Sequence, residues 1–221
     1  MELTEAIKYR RSIRGYKPTP VPRETLTEIL ELAIRAPSNL NIQPWEFTVL
    51  GGKVLDNVKQ ALQEQFLAGT EFHPDFPIKT PTGIYRERQV ELGVNLYQLM
   101  DIAKEDKEKK NQWLLKMLRF FDAPNAIIVS MNEEASSFWS MFSVGALSQT
   151  IALAATNFSL GTCIERETVG YPEVIRGITG IADSKKLAIG VAIGYPDWDF
   201  PANRLQSKRE PSANITTWLG V

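Results

Sequence analysis

The stretch from Ala135 to Ile164, ASSFWSMFSVGALSQTIALAATNFSLGTCI, carries no charged residue. No other feature limits the fold as much. A run of this length spans a bilayer or lines a core. Ser136, Ser137, Ser140, Ser143, Ser148, Gln149 and Asn157 interrupt it. Hydrocarbon leaves such polar groups without partners. The run is therefore read as a buried core helix over Phe138 to Asn157, and the chain as a cytoplasmic protein with no membrane partner.

The rest of the chain arranges itself around that helix. LTEAIKYRRS is a short amphipathic helix. TPVPRETLTEILELAIRAPS is a second, with prolines at its start and an apolar stripe of Leu26, Ile29, Leu30, Ala33 and Ile34. PWEFTVLGG, NAIIVSM, GTCIE and KLAIGVAIGY read as strands. Residues 67 to 83, rich in Pro, Gly and Phe, read as a loop or lid. Helical segments follow from Tyr85 to Arg119. Helices and strands alternate, so the class is α/β or α+β, one domain over residues 1–221 with a single sheet. The tail after Pro196 is irregular yet keeps Trp218 and Leu219. Such a tail docks on its own body or on a partner.

With a formal net charge of -1 and a pI of about 6.0, the chain has no global bias toward nucleic acid. It has one cysteine, Cys163, and one histidine, His73. That excludes an intrachain disulfide and leaves almost nothing for a Cys/His metal site or a histidine triad. MELTEAIKYRR has charges where the apolar core of a signal peptide belongs.

Local charge is less even than the total. YRRSIRGYK holds Arg10, Arg11, Arg14 and Lys17, and NRLQSKRE forms a second basic knot near the other end. The chain contains neither G-x-G-x-x-G nor G-x-x-x-x-G-K-[ST]. A bound phosphate would have to be taken by side chains. An extended backbone after the first helix sends Arg10, Ser12 and Arg14 to one side. Two guanidiniums and a hydroxyl there suit a phosphate, with a solvated basic turn as the plainer reading. APSNLNIQPWEF crowds Ser38, Asn39, Asn41 and Gln43 into one loop. These amides can read a ring edge or simply close a turn. LGTCIERE leaves the core helix directly. Cys163 reads as a packed thiol. Glu165 and Glu167 read as surface charges before they read as an acid/base pair.

In this order, RRSIRGYK, RAPSNLNIQPWEF, FFDAPNAIIV, LSQTIALAATNFSLGTC, AIGVAIGYPD and PANRLQSKREP resemble the nitroreductase family of FMN-dependent flavoproteins. The likeness covers nearly the whole chain and is weakest over residues 67–116, the expected variable lid. It implies an α+β three-layer sandwich with a central mixed sheet, built as an intertwined homodimer. Residues 197–221 would wrap the partner subunit, and FMN would lie at the interface. The resemblance assigns Arg10, Arg11, Ser12 and Arg14 to the cofactor, with Lys208 and Arg209 reaching the same phosphate. It brings Pro37, Ser38, Asn39 and Asn41 from the other subunit. Gln149 lies near the cofactor. Ile164, Glu165 and Arg166 pass the flavin N5 edge, and Arg119 stands near the pyrimidine ring.

The implied activity is ping-pong transfer of hydride from NAD(P)H through flavin N5 to a small electron-poor aromatic acceptor, a nitroaromatic or a quinone. The flavin carries the chemistry, so no catalytic side chain is expected. Phe72, Phe76, Phe120, Trp139 or Phe142 would line the acceptor side or belong to the core. One departure stands out. Where many relatives have glycines or Pro-x-Glu-Gly after LGTC, this chain reads IERE. The rival readings are a reductive dehalogenase of halotyrosines on the same fold, suggested by acidic and aromatic lid residues, and a flavin-binding module without turnover.

Overall fold

A computed structural model describes residues 2–221. Four strands form one sheet in the order β1-β2-β4-β3: β1 Trp45–Gly51, β2 Asn125–Asn132, β3 Gly161–Glu165 and β4 Lys185–Gly194. Every pairing between these strands is antiparallel. The parallel component of the expected mixed sheet is limited to a bridge between Ser12 and Thr162 at the β3 edge.

β2 lies in the middle of three layers, which is why its sequence is a continuous apolar run. Ala126 and Ile128 face one core, and Ile127, Val129 and Met131 face the other. Alternation along a strand produces this split. α2 (Arg23–Ala33) and α6 (Phe138–Asn157) cover the second face, with Ile29, Leu147 and Ile151 fully buried. α3 (Gly52–Leu67), α5 (Lys107–Leu118) and α7 (Pro172–Thr179) cover the first, through Leu55, Trp113 and Ile175 among others. α1 (Leu3–Tyr9) lies against α6, and α4 (Gly83–Leu99) lies on the outside.

The structure departs from the sequence reading in two ways. α3 and α7 were not expected. α3 buries Leu55, Val58 and Leu62 among polar residues that hide the stripe. α7 is short, but Pro172 opens it and Gly180, at φ +73°, closes it. That pair is a helix signal in its own right. The helical segments read from Tyr85 to Arg119 are α4 and α5, separated at Asp101 (φ 52°), with Asp106 capping α5 through Lys109 N at 2.9 Å. α6, finally, is buried on one side only. Phe138, Trp139 and Phe142 stand exposed on the other.

The loop between α3 and α4 is fixed rather than loose. The Asp75 carboxylate accepts from Arg176 Nη2 at 2.6 Å and from Leu187 N at 2.7 Å, tying the loop to α7 and β4. His73 Nε2 meets Glu173 at 2.7 Å, and Phe72 stacks edge-on against Tyr171. Asp75 and Arg176 are both nearly sealed from solvent. Removing one partner leaves the other buried and unpaired. Asp75→Ala should therefore lower the free energy of unfolding in urea by about 3 kcal/mol; a change within about 0.5 kcal/mol would show the loop is not held there.

Candidate functional site

After α1 the chain runs extended along β3. Ile13 N donates to Thr162 O at 2.9 Å. This close approach needs a glycine on the strand, since a Cβ at Gly161 would lie 2.4 Å from Ile13 Cγ1. The extended backbone sorts the side chains as the sequence predicts. Arg14 and Ser12 lie near the buried Cys163 thiol, and Arg10 lies near it too. Arg11 has its guanidinium near the rings of Tyr9 and Trp198, 5.6 and 5.9 Å from their centroids.

Asn203 joins the two ends of the chain at this point. Its amide is fully buried. It accepts from Arg14 N at 2.6 Å and donates to Gly15 O at 2.8 Å and Asp197 O at 2.7 Å. The C-terminal strap then carries Arg209 to Arg10. The Arg10 pKa is lowered, first by burial and then by the Arg209 charge. Two guanidiniums that disfavour each other are thus brought from distant parts of the sequence, an arrangement that can take an anion. Arg209 itself donates to Ser207 Oγ at 2.7 Å. Lys208 does not join the pair, because it is turned to Glu91 on α4. Arg88 binds Glu210 at 2.8 Å, so the strap is fastened to α4 on both sides of Arg209.

Between strap and helix lies a cavity of about 820 Å³, lined by Tyr85, Arg88, Gln89, Leu92 and Asn95 of α4 with Ser207 and Arg209. Cofactor and ligand pockets run to about 300–1,000 Å³. The sequence reading missed this wall. α4 did give a signal, because its apolar residues form no stripe: Ile84, Tyr85, Val90, Leu92 and Val94 are exposed and Leu96 alone is buried. A helix with so little buried against its own fold needs another cover.

The remaining expected residues lie elsewhere. Arg119 does not meet the others. It grips Asp122 at 2.6 and 3.2 Å and Gln63 at 3.2 Å. Pro37, Asn39 and Asn41 stand exposed in a loop where Leu40, Asn41 and Gln43 all have positive φ. Ser38 Oγ accepts from Gln43 N at 3.0 Å, and Asn39 N donates to Ser143 Oγ at 3.2 Å, fastening the loop to α6. Gln149 is exposed on the bare side of α6. On β3, Ile164 faces out while Cys163 and Glu165 face in. Glu165 is 3% exposed, so it is no surface charge. Arg166 bonds Glu167 at 2.8 Å. Of the aromatic candidates, Phe120 is core, Phe72 and Phe76 lie in the α3–α4 loop, and Trp139 and Phe142 are bare. Cys163 is a buried thiol whose pKa burial pushes far up, so it is no nucleophile.

A three-layer sandwich with two neighbouring cations from distant segments, beside an uncovered helix, can hold a phosphate-bearing group without a glycine loop. The family model described as the nitroreductase family matches residues 7–195. The nitroreductase NfnB of Mycolicibacterium smegmatis is 32% identical over 95% of this chain and 89% of its own. The 4-nitrobenzoate reductase of Pseudomonas putida is 31% identical over 96% and 92%. A crystal structure of the FMN-dependent nitroreductase NfnB from Mycobacterium smegmatis, in complex with NADPH, superimposes with a TM-score of 0.93 at 28% identity, over 98% of this chain and 97% of that one. The chain belongs to the nitroreductase family.

The Arg119–Asp122 pair has its own consequence. Burial raises the Asp122 pKa, but hydrogen bonds from Arg119 and Lys116 outweigh it and hold the carboxyl below its ordinary value. A depressed folded-state pKa adds stability above the ordinary carboxylate range and loses it as pH falls. Asp122→Asn should flatten the acid limb of a stability-against-pH curve. Wild-type and variant limbs of equal slope would show the pair is idle.

Proposed function

We propose that the chain is an FMN-dependent oxidoreductase that passes hydride from NAD(P)H to an electron-poor aromatic acceptor, a nitroaromatic or a quinone, as a cytoplasmic homodimer. The convergence of Arg10 and Arg209 carries this reading. The fit to FMN rests on three features of the chain: a pair of mutually repelling cations for the phosphate, a cavity along α4 lined by one of them, Arg209, and polar edges from Gln89 and Asn95 in its wall. FMN, when bound, supplies the two-electron chemistry. Arg10, Ser12 and Arg209 would hold its phosphate and Arg14 would place a positive charge beside the ring system. Lys208 and Glu210 fix the strap that carries Arg209.

Geometry within one protomer supports the dimer. Asn39 is fastened at Ser143, while Thr156 of α6 lines a cavity with Arg10. Those two positions are about 20 Å apart along the helix at 1.5 Å per residue. The 37–41 loop of one protomer is thus too far along α6 to serve its own Arg10 and is presented for another copy. The bare side of α6, with Phe138, Trp139 and Phe142, and the exposed tail with Trp218 and Leu219 supply apolar surface for that copy. Tail residues 206–221 are exposed in their own protomer although Lys208 and Glu210 tie the strap to α4, and wrapping the partner would cover them.

Purified protein should be yellow and release FMN on denaturation, and NADPH or NADH should bleach it without oxygen. Nitrofurazone or menadione should restore the colour. Arg10→Ala and Arg209→Ala should each weaken FMN retention about tenfold or more, as expected for a lost hydrogen bond to a charge. Unchanged affinity in both would disprove the clamp. Tight FMN with no bleaching would favour a dehalogenase or a binding module, and a flavin-loaded monomer on sedimentation would contradict the dimer.

A further inference from the structure

Glu165 is the one acidic side chain drawn into the cofactor segment's surroundings without a partner. Both carboxyl oxygens are buried and make no hydrogen bond. Thr168 Oγ1 donates at 3.0 Å to the Glu165 backbone carbonyl, not to the carboxyl. The ionisable groups that face it are Arg14 and Tyr16 of the extended segment, Cys163 of the same strand, and Glu167 beyond the strand end. Arg14 is the nearby cation, yet its side chain bonds Ser12 O at 3.3 Å and lies over the Phe121 ring. Among the described residues Arg14 and Glu165 form no ion pair, although both are held in place and nothing stands between them in sign.

An ionised carboxylate buried beside a guanidinium would pair with it. A carboxylic acid has no such need. We propose that Glu165 is a positioning residue that keeps its proton in the resting protein and so leaves the charge of Arg14 undivided for the bound flavin. The proposal rests on the FMN reading above. Burial, reinforced by the Glu167 charge, favours the neutral form, and only Arg14 opposes it. The sign follows. As pH rises and Glu165 ionises, its charge turns Arg14 away from the cofactor, and FMN affinity falls.

The test compares wild-type protein with Glu165→Gln, which keeps the shape and cannot ionise. Apoprotein infrared spectra at neutral pH should show a protonated carboxyl band in wild type that the variant lacks. FMN dissociation constants measured from about pH 6 to about pH 10 should agree at the acid end. At the alkaline end wild type should bind about tenfold more weakly than the variant, the loss of one charged hydrogen bond. Absence of the infrared band overturns the proposal. So do parallel affinity curves. Wild-type protein that takes up no FMN at any pH overturns the FMN reading and this inference with it, whereas failure of the inference alone leaves FMN binding normal at neutral pH. If Glu165→Gln does not fold, Arg14→Gln replaces it: the alkaline loss of affinity should vanish with the cation, and its survival would overturn the proposal.

Discussion

The buried Asn203 amide fixes the relation between the two ends of the chain. Three backbone groups bond it: Arg14 N, Gly15 O and Asp197 O. Gly15 O and Asp197 O also accept from Asp197 N and Phe200 N, so Arg14 N is the group that loss of the amide would leave unpaired, which is costly away from water. One side chain therefore sets where the N-terminal segment ends and where the C-terminal strap begins. Everything said of Arg10 and Arg209 follows from that placement. Their repulsion is tolerated because the first is anchored on β3 through Ile13 and Gly161, and the second is flanked by pairs to Glu91 and Arg88.

The second constraint is what the fold leaves uncovered. α4 buries a single residue, α6 shows three aromatics to solvent, and the tail covers none of itself. A single protomer so built is incomplete by the ordinary rule that large apolar patches find partners. The left-handed backbone at Leu40, Asn41 and Gln43 belongs to the same picture. Three strained residues in one exposed loop persist only where the surroundings fix the loop, and Ser143 does so.

Much of this was legible in the sequence because it follows from local rules. Alternation placed Arg10, Ser12 and Arg14 together, and the uncharged run from Ala135 to Ile164 located α6 within a residue. Continuous apolar runs gave β2 and β4. What escaped depends on distance along the chain. Lys208 and Arg209 are neighbours in sequence, but only the position of Glu91 decides that one turns away. Arg119, placed by resemblance near the pyrimidine ring, is instead engaged by Asp122 and Gln63. Glu165 looked like surface because its neighbours Arg166 and Glu167 are charged. Strand alternation with Cys163 would have turned it inward, had that rule been applied past the end of the apolar run. The α4 wall was hidden because a helix without a stripe offers no face to read.

The order of synthesis gives the Asn203 link a further meaning. Arg10 precedes β1 and Arg209 follows β4, so synthesis makes the first well before the second. A growing chain can assemble β1, β2 and the helices between them while the strap does not yet exist. Arg10 and Arg209 cannot meet on such a chain. On the proposed reading, cofactor is thus accepted by a finished body and plays no part in shaping the early one, so a protein made without flavin should reach the same fold and wait, able to load later.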